Sequence, residues 1–160
     1  MHFKKLILAL VTALTATFAF AGSSAAEALL TVAGIGDSPV EIDRAEFEDM
    51  EAKTFTTTTI WTEGDITFTG VPLAALLDEL GVDDGVLLAS AVNDYSIEFP
   101  VEEARKDGPI VAYLMNGEPM SVRDKGPLWI VFPYDSDPAF QSEVVYSRSI
   151  WQLVRIEVAE

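Results

Sequence analysis

Thr56-Thr57-Thr58-Thr59-Ile60-Trp61-Thr62-Glu63-Gly64-Asp65-Ile66-Thr67-Phe68-Thr69-Gly70-Val71-Pro72-Leu73-Ala74-Ala75-Leu76-Leu77-Asp78-Glu79-Leu80 is the stretch whose reading decides the fold. Its second half predicts a short helix. Pro72 suits a first helical position, Leu73, Leu76, Leu77 and Leu80 recur at spacings of three and four, and Gly81 stands where a C-terminal cap belongs. Its first half predicts strands: Thr56 to Trp61 is rich in β-branched residues, Glu63-Gly64 supplies a turn, and Ile66 to Phe68 leads up to Gly70. A hairpin-like element thus delivers the chain to a helix whose leucine stripe must face a core.

Upstream, Val40 to Ile42 reads as a strand, and Asp43 with Glu46 forms a capping-box signature that starts a helix over Asp43 to Met50. Ala28 to Val32 is a further strand, followed by a Gly34 to Pro39 turn cluster. Downstream, strands are expected at Val86 to Val92 and Tyr95 to Phe99 around an Asn93-Asp94 turn, with a helical turn over Val101 to Lys106. Ile110 to Met115 and Met120 to Val122 flank Asn116-Gly117, a strong hairpin signal. Leu128 to Phe132 is a buried strand; Ala139 to Ser149 is open between loop and helix. Ile150 to Val158 breaks strict alternation, which predicts a kinked or doubly buried strand. Many short strands with few, short helices predict an α+β class: a mixed, mainly antiparallel β domain.

The N-terminus carries Lys4 and Lys5, an apolar run from Leu6 to Phe20 and Ala19-Phe20-Ala21, the layout of a secretory signal. The run is about 15 residues, short of the ~20 a membrane span needs. The expectation is a signal peptide over 1–21, cleaved after Ala21 (or after Ala26), then a single domain over 27–160, periplasmic or secreted and free of the membrane. Formal charge is −16, and loss of Lys4 and Lys5 takes the remainder to −18. Such acidity disfavours nucleic acid and anionic lipid as partners, and serves equally as a solubility or halophile trait.

There is no cysteine, and the lone histidine, His2, lies in the predicted signal. That excludes a thiolate nucleophile, a Ser-His-Asp triad and a Cys/His zinc centre. Chemistry falls to carboxylates, Arg, Lys, Tyr, Trp, Asn and backbone groups. Trp61, Trp129 and Trp151 are either core indoles or walls of an organic-ligand pocket. Tyr95 is either a cross-strand aromatic or a pocket phenol, and Asn93 a turn residue or its polar neighbour. Arg123 and Lys125, with Arg148 farther off, are solvated or contact an anion. Asp135 and Asp137 read as a solvated acidic loop, their spacing being unlike a calcium loop.

The ordered set Phe68-Thr69-Gly70-Val71-Pro72-Leu73, Asn93-Asp94-Tyr95, Asn116-Gly117-Glu118-Pro119-Met120, Gly126-Pro127-Leu128 with Val131 and Pro133, and Trp151 before Ile156-Glu157-Val158 resembles the molybdopterin-binding domain of the sulfite oxidase family. That resemblance implies a mixed sheet around a cleft in which molybdenum is held by a pterin dithiolene and one protein cysteine. The cysteine falls a little over ten residues ahead of Gly70, where this chain has Thr57 to Thr59. A hard threonine hydroxyl does not substitute for a soft thiolate. The family's Asp-Gly-Tyr matches Asn93-Asp94-Tyr95, Trp129 stands in place of a cofactor-binding arginine, and the pterin-holding histidines have no counterpart.

The resulting expectation is an exported, non-catalytic ligand-binding or accessory domain with no cofactor, its cofactor-site positions being Trp61, Asn93, Tyr95, Arg123, Lys125 and Trp129. Its partner would be a small organic or anionic ligand, or a periplasmic protein. The alternatives are a molybdopterin-dependent oxidoreductase that holds its cofactor without a protein thiolate, and a protein-interaction or signalling domain.

Overall fold

The computed structural model describes residues 27–160; the predicted signal peptide lies outside them. In chain order the elements are β1 (Ala28–Ala33), β2 (Val40–Asp43), α1 (Arg44–Asp49), β3 (Lys53–Thr57), β4 (Ile66–Pro72), α2 (Leu73–Glu79), β5 (Val86–Ala91), β6 (Ser96–Pro100), α3 (Val101–Ala104), β7 (Ile110–Met115), β8 (Glu118–Pro119), β9 (Leu128–Val131), α4 (Glu143–Arg148) and β10 (Trp151–Ala159). The strands form one mixed sheet in the order β2-β1-β10-β9-β7-β4-β3, with β5 and β6 branching from β10 and β8 from β7. Every pairing is antiparallel except β1 with β10. Among the described residues, no helix is long and apolar enough to cross a membrane.

β10 is the hub. Leu153 pairs with Ala91 of β5 on one side and Leu128 of β9 on the other, and further along Ile156 pairs with Ala89 of β5 and Val32 of β1. One edge of β10 therefore carries β5, and the other carries first β9 and then β1. The expected kink is present: the register shifts on both sides of Leu153, and Gln152 takes a left-handed φ of 53°.

The core packs against this sheet. Leu73, Leu76 and Leu77 of α2 are fully buried, as their spacing requires. The helix closes with Gly81 N–H on the Asp78 carbonyl (3.1 Å) and Val82 N–H on the Leu77 carbonyl (2.9 Å), Gly81 supplying a positive φ of 69°. The capping box at α1 is formed, Asp43 N–H donating to Glu46 Oε2 (2.8 Å) and Glu46 N–H to Asp43 Oδ1 (3.0 Å).

Four expectations shift. Pro72 is the last residue of β4, not the first of α2, because β4 continues to Pro72 opposite Ile110 and Leu73 N–H turns to the Pro109 carbonyl (3.0 Å). The strand expected through Trp61 ends at Thr57, since the hydroxyls of Thr58 and Thr59 bond elsewhere and draw the chain into a loop. The return from Asn116-Gly117 is only Glu118–Pro119, the chain then curling into a 3₁₀ turn over Val122–Asp124. β6 begins at Ser96, which leaves Tyr95 outside the strand and 56% exposed.

Candidate functional site

The loop after β3 sets the geometry of the site. Thr59 Oγ1 accepts from Trp61 N–H (3.0 Å) and bonds Thr62 Oγ1 (2.8 Å), forming a local turn that aims Trp61 back across the sheet. Trp61 then meets four rings edge-on: Trp151 at 5.5 Å, Tyr146 at 5.7 Å, Trp129 at 5.9 Å and Tyr134 at 6.1 Å. Such edge-to-face contacts contribute about 0.5–1.5 kcal/mol each beyond their burial.

In front of these rings lies a cavity of about 320 Å³ lined by Trp61, Ala91, Asn93, Tyr95, Tyr146, Ser147, Ser149, Ile150 and Trp151. Three parts of the chain converge here: the Trp61 loop, the β5–β6 turn and the α4–β10 junction. The β5–β6 turn is held by Asn93 Oδ1, which accepts from Tyr95 N–H (3.3 Å), while Asp94 adopts a left-handed φ of 63°. At the junction, Ser142 Oγ caps α4 by accepting from Val145 N–H (3.4 Å), and Ser149 Oγ donates to the Val145 carbonyl (2.9 Å).

Of the six positions named from sequence, Trp61, Asn93 and Tyr95 come together at this cavity. Trp129 does not reach the cavity: it is fully buried behind Trp61 and Trp151, with Nε1–H donating to the Ser149 carbonyl (3.1 Å). Its place is core, because β9 is covered on both faces. Lys125 lies outside the lining but holds its ammonium 4.6 Å from the ring centre of Trp151 and 5.6 Å from that of Trp129. Arg123 is exposed in the preceding 3₁₀ turn and not part of the lining. Sequence reasoning missed Tyr146, Ser147, Ser149 and Ile150; the usable signal was Ser142 as an N-cap ahead of Glu143-Val144-Val145-Tyr146.

Buried beside Trp61, Tyr134 donates its hydroxyl to Ser149 Oγ (2.7 Å). Burial pushes its phenol up to about 12, only partly offset by that hydrogen bond. It is therefore a neutral donor throughout the ordinary pH range.

A second polar knot ties the threonine run to the loop after β9. Asp135 accepts from Thr58 N–H and, at 2.8 Å, from Thr58 Oγ1–H, and Thr57 Oγ1 accepts from Asp135 N–H (3.1 Å). Asp135 is thus a structural anchor rather than a freely solvated loop acid. Asp137 instead caps the 3₁₀ turn over Pro138–Phe140, accepting from Ala139 N–H (2.8 Å).

The Thr58 amide and hydroxyl hold the Asp135 carboxyl below its ordinary value, against a smaller desolvation effect and with help from Thr57. Because the folded pKa is lowered, the stabilisation is complete above the unfolded carboxylate value and is lost as pH falls through the lowered one. Asp135→Asn is expected to speed exchange of the Thr58 amide at neutral pH, and acidification of the parent chain through the lowered carboxyl value to reduce that amide's protection relative to its intrinsic exchange rate at each pH. Hydrogen exchange followed by mass spectrometry reads both; unchanged protection in the variant would contradict the anchor.

The position at which the family resemblance puts a metal-binding thiolate is therefore furnished with hydroxyls already committed to Asp135, to Thr62 and to the backbone. Among the described residues, no group of His, Cys, Asp and Glu is arranged to hold a metal ion. Hydroxyl oxygens are hard donors and do not fit a soft, thiolate-preferring metal site.

The chain matches the family model described as oxidoreductase molybdopterin binding domain over residues 21–136. Among solved structures it is similar to the sulfane dehydrogenase SoxCD from Paracoccus pantotrophus, with a TM-score of 0.61 and 20% identity. The match covers 82% of this chain and 38% of that one, so the chain spans well under half of its structural relative. No curated protein matches the sequence. With the ordered motifs lying on the strands and turns described above, this chain belongs to the sulfite oxidase-type molybdopterin-binding domain family.

Proposed function

We propose that this chain is an exported, non-catalytic member of the family: a periplasmic ligand-binding or accessory domain that uses the aromatic cavity for a small organic ligand. The observation that carries this reading is a pair of features on one loop. Thr57 and Thr58, at the metal-binding position, are tied to Asp135, while three residues further on Trp61 helps wall an open cavity of about 320 Å³. That volume lies at the small end of the ~300–1,000 Å³ usual for small-molecule sites. The lining has the usual composition of such sites, mostly apolar and aromatic with a few polar groups. Export rests on the charge and apolar layout of residues 1–21.

The alternative is a molybdopterin-dependent oxidoreductase that holds its cofactor without a protein thiolate. Family membership favours it, as does Tyr95, which matches the family's tyrosine and lines the cavity. Elemental analysis of protein purified from the periplasm of a cofactor-competent host separates the two. The expected molybdenum content is far below one atom per chain, with a colourless protein; stoichiometric molybdenum would overturn the proposal.

A further inference from the structure

The eight lysines and arginines among the described residues are not equivalent. Arg44, Lys53, Arg105, Lys106, Arg148 and Arg155 each pair with a carboxylate. Arg123 and Lys125 have no such partner, in a chain of formal charge −16 with carboxylates in large excess. Both lie in the segment before β9, and Lys125 reaches the aromatic cluster.

Lys125 is also placed by unusual backbone. It has a left-handed φ of 73°, and its carbonyl accepts from the N–H of Gln152, itself left-handed at 53° (2.9 Å). Gln152 Nε2 in turn donates to the Val122 carbonyl (2.7 Å). Two non-glycine residues in this sparsely populated region, bonded to one another, hold the ammonium against Trp151, whose indole lines the cavity.

The hydrogen-bond inventory of the lining has the same sense. Trp61 Nε1, Trp151 Nε1 and the hydroxyls of Tyr95 and Tyr146 have no partner among the described residues, yet none is a buried unsatisfied atom. Trp61, Tyr146 and Trp151 are half-buried and Tyr95 is exposed, so these donors are not sealed in the core. Asn93 spends its oxygen on Tyr95 N–H and keeps its NH₂ free to donate. No lining residue is a carboxylate. Donors thus outnumber committed acceptors; of the charged groups beside the cavity, Lys125 packs its ammonium on the Trp151 wall, and Asp94 lies in the turn between Asn93 and Tyr95.

Resting on the pocket reading above, we infer that the cavity takes an aromatic carboxylate of one or two rings, its ring set among Trp61, Tyr95, Tyr146 and Trp151 and its charge balanced by Lys125. The acidity of the whole chain does not defeat this. At physiological salt, charges farther than about 8 Å are largely screened, so the local ammonium outweighs distant carboxylates.

Calorimetric titration of the exported chain with phenylacetate and 2-naphthylacetate tests the assignment, with the matching alcohols and trimethylammonium compounds as neutral and cationic counterparts. The carboxylates are expected to bind at least tenfold tighter than either counterpart and to weaken as salt rises. Lys125→Gln should remove that tenfold preference while leaving alcohol binding unchanged, Lys125→Arg should restore it, and Tyr95→Phe should weaken the carboxylates several-fold with the fold intact by near-ultraviolet circular dichroism. Equal binding of acid and alcohol, preference for the cation, or an unaffected Lys125→Gln variant overturns the carboxylate assignment and leaves the pocket reading standing. Absence of binding by all three classes overturns both.

Discussion

Trp129→Ala is expected to lower stability by about 4 kcal/mol, within the ~3–5 kcal/mol range for truncating a buried tryptophan. The indole is fully buried at the crossing of β9 and β10, 5.2 Å from Phe68, 5.9 Å from Trp61 and 6.3 Å from Trp151 between ring centres. Its loss removes three aromatic contacts at once and leaves the Ser149 carbonyl without its indole donor. With a slope of ~2 kcal/mol per molar urea, the midpoint should fall by about 2 M. Trp129→Phe keeps a ring and loses the hydrogen bond, for a cost of about 1–2 kcal/mol. A fall under ~0.7 M for the alanine variant would show that Trp129 is not the keystone of this cluster. Ligand binding by Trp129→Phe should change little, since Trp129 is outside the cavity.

Gly70→Ala should be of comparable severity. Gly70 lies in β4 between β3 and β7, opposite Lys53 and Ala112, where the β4–β7 register shifts. A methyl group there would stand 2.2 Å from the Val111 carbonyl oxygen and 2.5 Å from Ala112 Cα. Those atoms are main chain in the middle of the sheet, so relief requires separating β4 from β7 rather than rotating a side chain. The cost is expected at or above the ~3 kcal/mol upper end of ordinary overpacking, a large share of the ~5–15 kcal/mol that holds a domain together. Little soluble protein should be recovered, and what is recovered should melt far below the parent. Gly36→Ala is the control, because an added methyl there meets nothing within 4 Å; similar melting of the two variants would refute the close-approach argument.

Gly70 also illustrates what was legible beforehand. The Gly-Val-Pro-Leu run announced the passage from strand to helix, and the leucine spacing of α2 predicted which face is buried. Both depend on local periodicity and backbone freedom, which a sequence displays. Thr57 to Thr59 was harder: β-branched residues favour a strand, but Asp135, 77 and 78 positions downstream of Thr58 and Thr57, competes for their polar groups. That competition is tertiary and invisible to local propensity. The cavity shows the same divide. Trp61, Asn93 and Tyr95 carried recognisable turn or aromatic signals, whereas Tyr146 and Ser147 are brought in by a six-residue helix with little periodicity to read. Trp129 and Trp151 look alike in sequence; only the doubly covered β9 makes one of them core and the kink at Gln152 leaves the other at the cavity wall.

The position of β10 bears on how this chain acquires its shape. Thr31 pairs with Arg155, so the one parallel pairing joins residues 124 positions apart. Without β10, β1 and β2, β5 and β6, and the β9-β7-β4-β3 group share no hydrogen-bonded strand. Closing such a long loop carries its entropy cost before any contact rewards it, which slows folding. A polypeptide emerging stepwise from a ribosome thus has no complete sheet to form until β10 has been made. The order of synthesis itself thus sets when the fold can close, because the strand that joins the three groups is the last of the ten to be made.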